Sequence, residues 1–273
     1  MQFVDRAWAR RFESAEEVPQ MLHANWCEQH RPEVGARSAA LAGGHMVFAG
    51  AGSPIGRAVG AGFQRPLTED DFAELEEFYF FRHAAAQIDL CPLSDSSLLE
   101  LALRRGYGVC ELNNVLALEL QKWQMTPAII KGECALRRAM PQEAMALSTI
   151  LRRCFFPDGG EPQGYDEMLE PMLAAPEFAV FVAEREEVTA VAVALAIREH
   201  GVLALFGAGT LPEYRGRGLQ TALLQHRLKL GVEAGCTHAV IVTNGGSISQ
   251  RNAERLGFHV AYSKATLIRQ PPL

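Results

Sequence analysis

The chain has 273 residues, of which 48% are hydrophobic, and a net charge of −6. This composition is ordinary for a globular protein with a full core, it argues against broad nucleic-acid binding, and the length predicts about two domains. There is no apolar run long enough for a membrane span or a signal peptide, and no Cys-x-x-Cys pair, so the sequence predicts a cytoplasmic protein without a membrane partner, a metal or a disulfide framework.

The first half begins with an apolar strand at residues 46–49. The glycines after it have the wrong spacing for a dinucleotide fingerprint, and Pro54 stands where a helix should begin, so this segment is predicted as a turn between strands. Thr68 is a good N-cap for a helix over 69–86. A strand at 87–90, a helix at 96–105 and a strand at 115–120 follow.

A linker is predicted at 121–133, and the second half alternates strands and helices after it. The predicted elements are strand 135–139, helix 141–155, a loop through Gly159 and Gly160, a helix near 165–173, a hairpin of strands 178–183 and 189–197 around Glu186 and Glu187, strand 202–210, a helix from 219, strand 238–242, helix 249–256 and strand 265–268. This order indicates an α/β sandwich with a largely antiparallel sheet and one splayed parallel pair, strands 202–210 and 238–242.

The two halves close on the same pattern. Gly106 and Gly257 are 257 − 106 = 151 residues apart. Each follows a helix, each precedes an aromatic residue that opens a strand, and a further strand precedes each helix. The sequence therefore predicts a duplication, with domains at 1–122 and 134–273.

The segment 207–221 carries the strongest functional pattern. An apolar strand leads into Gly207, Pro212 forces a turn, and a basic glycine-rich loop opens directly into an apolar helix. Glycines allow close approach of backbone N–H groups to a ligand, and a helix N-terminus adds partial positive charge. With Arg215 and Arg217 these groups form an anion cradle, for which a pyrophosphate is the natural guest.

This segment resembles motif A of the GNAT family, the acetyl-CoA-dependent N-acetyltransferases. Arg215, Gly218 and Gln220 fill the three defined places of that motif, although Gln220 replaces a small residue. The resemblance implies an α/β (α+β) fold of two acyl-CoA N-acyltransferase-like domains, each a mixed, mostly antiparallel sheet flanked by helices. It also implies transfer of an acetyl group from acetyl-CoA, the cosubstrate, directly to a primary amine, with no metal.

The family's coenzyme contacts map onto this chain residue by residue. Backbone of the strand end would hold pantetheine, and the loop amides would hold pyrophosphate. An asparagine of the helix that follows strand 238–242 would reach the pantetheine arm. A bulge at Gly207 and Gly209 would free an N–H group for the thioester carbonyl. The predicted coenzyme-binding residues are Ala208, Gly209, Thr210, Arg215, Gly216, Arg217, Gly218, Leu219, Gln220, Thr221 and Asn252.

The catalytic residues are left open by the sequence. Where many relatives have a tyrosine that protonates the leaving thiolate, this chain has Ala253. The candidates are Glu213, in the loop, and Asn244, at the end of a strand. The residues that cover the acceptor in the family correspond to a segment containing Asp158, Glu161 and Tyr165, and the acceptor itself is not specified.

The first half lacks the anion cradle. Its helix begins with Glu69, Asp70 and Asp71, and these carboxylates would repel a pyrophosphate. It is therefore predicted to be a degenerate GNAT-like domain that does not bind coenzyme A. The alternative to an enzyme is a non-catalytic acetyl-CoA-binding sensor or interaction module. Since many relatives dimerise, the resemblance also allows a homodimer.

Overall fold

The computed structural model describes residues 4–51, 53, 55–157, 159, 168–185 and 188–272. Its helices and strands are, in chain order, α1 (Arg6–His30), β1 (Arg37–Leu41), β2 (Gly44–Phe48), α2 (Glu69–Phe80), β3 (Ala86–Leu90), α3 (Ser97–Arg104), β4 (Gly108–Glu119), β5 (Ala135–Arg138), α4 (Ala144–Phe155), α5 (Leu169–Ala174), β6 (Phe178–Arg185), β7 (Val188–Glu199), β8 (Val202–Thr210), α6 (Leu219–Glu233), β9 (His238–Asn244), α7 (Ile248–Arg255) and β10 (His259–Arg269).

The chain packs into two compact units. The first contains residues up to 115, 243–245 and from 260 onward; the second contains 116–242 and 246–259. The last strand belongs to the first unit because β10 pairs antiparallel with β3, from Ala265 opposite Leu90 to Arg269 opposite Ala86. The predicted domains, 1–122 and 134–273, describe duplicated halves and remain a prediction. The boundaries of the compact units lie at other positions in the chain.

Helix α1 was not predicted from the sequence. Asp5 caps it by accepting a hydrogen bond from the N–H of Trp8, and the helix packs on β1 and β2. Its buried face carries Phe12 and Ala24, but also Glu13 and Glu17, which are almost completely buried. Two carboxylates on the inward face obscure the apolar periodicity by which an amphipathic helix is recognised.

The buried carboxylate of Glu13 lies in a charge cluster of the first unit. The ammonium of Lys264 lies 3.3 Å from Glu13, 2.5 Å from Glu16 and 2.9 Å from Asp89. The three carboxylates are close enough together to hold a metal ion, but Lys264 already supplies positive charge to all of them. Although burial opposes it, the attraction of Asp89, Glu13 and Glu16 raises the pKa of Lys264 well above its ordinary value.

This cluster makes the stability of the first unit depend on pH. Burial raises the pKa of Glu13 from 4.5 to about 7, although Lys264 opposes the shift. The folded state therefore keeps a proton that the unfolded state releases above pH 4.5, so this group's contribution to stability falls as pH rises from 4.5 to 7. In the wild type this group should lower the free energy of unfolding by about 3 kcal/mol between pH 4.5 and 7. We expect Glu13→Gln to lack this decrease, measured by urea unfolding at several pH values.

The matched control for this measurement is Glu77→Gln, because Glu77 is an exposed carboxylate on α2. It should keep the wild-type slope of unfolding free energy against pH. An unchanged slope in Glu13→Gln itself would contradict the assignment of the titration to this carboxylate.

Helix α2 begins where the sequence predicts, at the Thr68 cap. The Thr68 hydroxyl accepts from the N–H of Asp71, and the Asp71 carboxylate accepts from the N–H of Thr68. Arg65 holds the same carboxylate at 2.6 Å. The helix ends at Phe80, short of the predicted residue 86. At this end of α2 the N–H groups of Thr68 and Asp71 are therefore already hydrogen-bonded to side chains.

The second unit is built on the sheet order β9-β8-β7-β6-β5. The pairs from β5 to β8 are antiparallel and β8 pairs parallel with β9. Helix α6 packs on β6, β7 and β8, and α4 packs on β7 and β8. The predicted mixed, mostly antiparallel sheet flanked by helices is thus confirmed, as is the hairpin of β6 and β7.

Some predicted features fall outside the described residues. These are Pro54 of the predicted turn, Gly160 of the predicted loop, the hairpin residues Glu186 and Glu187, and the acceptor-segment residues Asp158, Glu161 and Tyr165. Of the helix predicted near 165–173, the structure describes α5, Leu169–Ala174.

Candidate functional site

Strand β8 leaves regular pairing where the sequence predicts a bulge. In the β7–β8 register, Leu195 faces Phe206 and Val193 faces Gly209, so Gly207 and Ala208 together stand opposite one residue of β7. Gly207 has φ of +52°, a left-handed conformation that favours glycine. Such a bulge interrupts the ladder and leaves backbone groups available to a ligand.

The same strand also separates from β9. Parallel pairs run from Val202 opposite His238 to Leu205 opposite Ile241 and stop there. The predicted splayed pair is therefore present, and the segment 206–210 is half-buried. Ala208, Gly209 and Thr210 lie in this segment, beyond the last parallel pair.

Gly209 is required by packing against α4. A β-carbon at this position would lie 2.7 Å from the Cys154 β-carbon of α4. Burial raises the pKa of the Cys154 thiol to about 11, so this sulfur is protonated at neutral pH. Its neighbourhood therefore does not favour a thiolate nucleophile.

A loop with two left-handed glycines joins β8 to α6. Gly216 has φ of +72° and Gly218 has φ of +82°, and a β-carbon at Gly216 would meet open space. No side chain caps α6, and its first turn carries no acidic residue. Among the described residues, the N–H groups of 216–221 have no hydrogen-bond acceptor, so this helix end offers free donors to an anion.

Both loop arginines are held in place beside these amides. The Arg215 guanidinium donates to the carbonyl of Thr210 at 3.1 Å and to that of Cys154 at 3.2 Å, and it remains exposed. Arg217 lies over the ring of Tyr214, with 5.4 Å between the guanidinium carbon and the ring centroid. The loop thus combines two fixed cations with a helix N-terminus.

The predicted linker packs against this loop. The N–H of Lys131 donates to the carbonyl of Arg217 at 3.0 Å, and Gln225 of α6 donates to the carbonyl of Thr126. A β-carbon at Gly218 would lie 2.2 Å from the carbonyl oxygen of Ile129. One side of Gly218 therefore faces protein backbone, and the linker packs against the loop. The sequence did not predict this contact.

This contact gives Gly218 a measurable requirement. We expect Gly218→Ala to cost more stability than Gly216→Ala, because both positions have positive φ but only the first also clashes with Ile129. Strain at a positive φ costs on the order of 1 kcal/mol, which is the effect expected at Gly216. Urea unfolding of the two variants checks the difference, and equal losses would contradict the linker contact.

Asn252 of α7 is directed at the start of α6. Its amide nitrogen donates to the side-chain oxygen of Gln220 at 2.7 Å. Gln220 occupies the place of a small residue in the family motif, and this bond holds its side chain against α7. Asn252 thus has a protein partner in this structure, and its contact with pantetheine remains a prediction.

The two catalytic candidates have different surroundings. Glu213 lies in the 3-10 turn before the loop, and its half-exposed carboxylate pairs with Arg153 at 3.1 Å. Asn244 is the exposed last residue of β9. Ala253 is completely buried in the core of the second unit. Strand β8, Val202–Thr210, carries no titratable side chain, so we assign no general base.

The arrangement fits a coenzyme A thioester. The free loop amides with Arg215 and Arg217 suit a pyrophosphate, and the unpaired strand end suits the amides of a pantetheine arm. The bulge can supply a donor to a carbonyl. Residues 144–258 match the family model for the acetyltransferase (GNAT) family.

Residues 144–258 are a GNAT domain. This domain contains α4, the bulged strand, the loop and α7. Solved structures have similar folds across more of the chain. A GCN5-related N-acetyltransferase from Kribbella flavida aligns with a TM-score of 0.63 and 18% identity, covering 92% of this chain and 96% of that one.

Two further structures show the same likeness. A tandem GNAT protein from the clavulanic acid biosynthesis pathway has a TM-score of 0.58 and 12% identity, covering 84% of this chain and 79% of that one. A GCN5-related N-acetyltransferase from Sphaerobacter thermophilus has a TM-score of 0.55 and 20% identity, covering 70% of this chain but 62% of its own length. At these identities the likeness concerns the fold. The comparison with curated protein sequences gave no match.

Two features of the GNAT domain were not predicted from the sequence. These are the linker contact at Gly218 and the buried Arg227 of α6, which bonds to the carbonyls of β7 and β8. A charged residue inside an apolar helix pattern was the available signal for Arg227.

Among the described residues, none of the helices has the length and apolarity of a membrane span.

Proposed function

We propose that the chain is an acetyl-CoA-dependent N-acetyltransferase that transfers an acetyl group directly to a primary amine. One observation carries the proposal: the loop presents unpaired amides at 216–221, with Arg215 and Arg217 beside them, at the end of a bulged strand that has separated from its neighbour. When bound, acetyl-CoA supplies the activated acyl group. The loop residues hold its diphosphate, and the backbone of Ala208, Gly209 and Thr210 aligns the arm.

Direct transfer is favoured over an acyl-enzyme. Cys154 lies against Gly209, and its raised pKa leaves little thiolate at neutral pH. The amine must then lose its proton to water or to a residue outside β8. Glu213 and Asn244 remain the candidates for roles in proton transfer or acceptor binding.

The first unit has a supporting role in this proposal. At the N-terminus of α2, Thr68 and Asp71 make reciprocal bonds and Arg65 pairs with Asp71. The carboxylates of Glu69, Asp70 and Asp71 in the first turn of this helix would repel a pyrophosphate. We therefore propose one coenzyme site per chain, in the cytoplasm, with a small molecule or a larger amine as acceptor. A homodimer fits the same proposal.

Release of free coenzyme A tests the reaction. The chain is incubated with acetyl-CoA and a panel of amino acids, polyamines, amino sugars and peptides, and the new thiol is measured with Ellman's reagent. A blank without acetyl-CoA is needed because Cys110 is an exposed free cysteine. Steady thiol release above the hydrolysis rate, dependent on one amine, supports the enzyme.

The second candidate is a module that binds acetyl-CoA without turnover. The buried Ala253 favours it, because a tyrosine that could protonate the leaving thiolate is absent from that place. Calorimetric binding of acetyl-CoA with no amine-dependent thiol release would select this candidate. Absence of binding would overturn both.

A further inference from the structure

Arg227 is a buried cation in the second unit. Its side chain is 1% exposed, although it lies on α6 among apolar residues such as Leu223 and Leu228. None of the described carboxylates forms an ion pair with it, and burial lowers its pKa to about 9. A buried charge without an ionic partner is costly, so its retention calls for a specific reason.

The guanidinium bonds backbone carbonyls instead of a carboxylate. Nη1 lies 2.8 Å from the carbonyl oxygen of Leu195 and 3.5 Å from that of Phe206, and Nε donates to the carbonyl of Leu223 at 3.2 Å. Leu195 and Phe206 are directly opposite each other in β7 and β8. One side chain therefore contacts both strands at one register position.

That position is the last regular pair before the bulge. Gly207 follows Phe206 directly and begins the two-residue segment that stands opposite one residue of β7. In a regular ladder, strand carbonyls point at the neighbouring strand, where a helix on the face of the sheet does not reach them. A bulge interrupts the ladder and would leave carbonyls without a hydrogen-bond donor. A cation at this point supplies that donor.

We propose that Arg227 is the positioning residue that fixes the bulge of β8, and with it the backbone donor that meets the thioester carbonyl. This inference rests on the proposed function. By holding Leu195 and Phe206, Arg227 sets where the Gly207 and Ala208 amides point. An oxyanion donor is effective only when it is held in place before the reaction.

The bound carbonyl reports this role without an acceptor. Carbonyl-labelled [1-¹³C]acetyl-CoA is bound to the wild type, and its C=O stretch is measured by isotope-edited infrared spectroscopy. We expect the wild type to lower the frequency relative to free acetyl-CoA, and Arg227→Met to lose at least about half of that shift. Coenzyme A without an acetyl group should bind Arg227→Met within about twofold of wild type, because the loop is unchanged.

Two further variants keep the test decisive. Leu228→Ala removes a buried side chain of the same helix that bonds neither carbonyl, so it should lose stability while keeping the wild-type frequency. Arg227→Lys keeps the charge but lacks the planar fork, and it should also lose the shift. If Arg227→Met fails to fold, Arg227→Lys carries the comparison.

The outcomes separate this inference from the proposed function. A wild-type frequency in the Arg227 variants, with coenzyme A still bound, overturns the positioning role and leaves the proposed function standing. A wild type that binds neither coenzyme A nor acetyl-CoA overturns the proposed function and this inference with it. Where an acceptor is known, Arg227→Met should lower kcat by about 10-fold to 100-fold with little change in the Kd for coenzyme A.

Discussion

Reversal of both loop charges, in the double variant Arg215→Glu/Arg217→Glu, is expected to weaken coenzyme A binding by about 100-fold or more. Each arginine can make a charge-assisted hydrogen bond to the diphosphate, worth about 1.5–3 kcal/mol, and a glutamate adds repulsion. Two such bonds correspond to at least two factors of ten in Kd. Isothermal titration with coenzyme A measures the change.

A charge-matched control separates local contacts from net charge. Arg198 and Lys229 are exposed residues of the same unit, and Arg198 pairs with Leu203 near the opposite end of the β7–β8 hairpin from Thr210. The double variant Arg198→Glu/Lys229→Glu carries the same total charge as the loop variant. It should bind coenzyme A within a few-fold of wild type, since long-range charge effects are screened at physiological salt.

The same titration counts the sites. One coenzyme per chain is expected in the wild type, because the first-turn carboxylates of α2, Glu69, Asp70 and Asp71, would repel a second diphosphate. If the loop variant kept half of the wild-type stoichiometry at the original affinity, the first unit would hold a second site. The degenerate character proposed for that half would then be wrong.

Local patterns predicted the backbone of the proposed anion site well. The strand before Gly207, the turn at Pro212 and the helix from Leu219 depend on neighbouring residues, and the structure has each at its predicted place. The bulge was predicted from Gly207 and Gly209 together with the family resemblance. Short-range rules suffice here because backbone conformation decides the feature.

Contacts between residues far apart in the sequence could not be predicted in this way. From its neighbours alone Glu13 resembles a surface residue, because its partner Lys264 is 251 positions away. Gly218 reads as a ligand-approach glycine, although Ile129 lies against it as well. Arg227 reads as a solvated residue of an amphipathic helix, yet it bonds carbonyls of two strands. In each case the partner is supplied by tertiary structure and not by local sequence.

The buried charge cluster of the first unit gives the second large effect. Replacement of Lys264 with methionine leaves the carboxylates of Glu13, Glu16 and Asp89 together without their shared cation. Arg57 still lies 3.6 Å from Asp89, so the uncompensated charge is mainly that of Glu13 and Glu16. Breaking a buried ion pair from one side costs about 3–5 kcal/mol, because the remaining charge lacks its partner. We expect a loss of this size in the free energy of unfolding at pH 7, measured with urea.

The loss should also shrink as pH falls, since protonation of the three carboxylates removes the repulsion that Lys264→Met exposes. Lys229→Met is the matched control: Lys229 is exposed on α6 and lies 3.6 Å from Glu233, a pair worth about 0.3–0.5 kcal/mol. Equal losses in the two lysine variants would contradict a stabilising role for the cluster. A large loss confined to Lys264→Met and greatest at neutral pH would establish that this cation helps to hold β10 in the first unit, where Tyr262 and Thr266 of the same strand also bond Glu13 and Asp89.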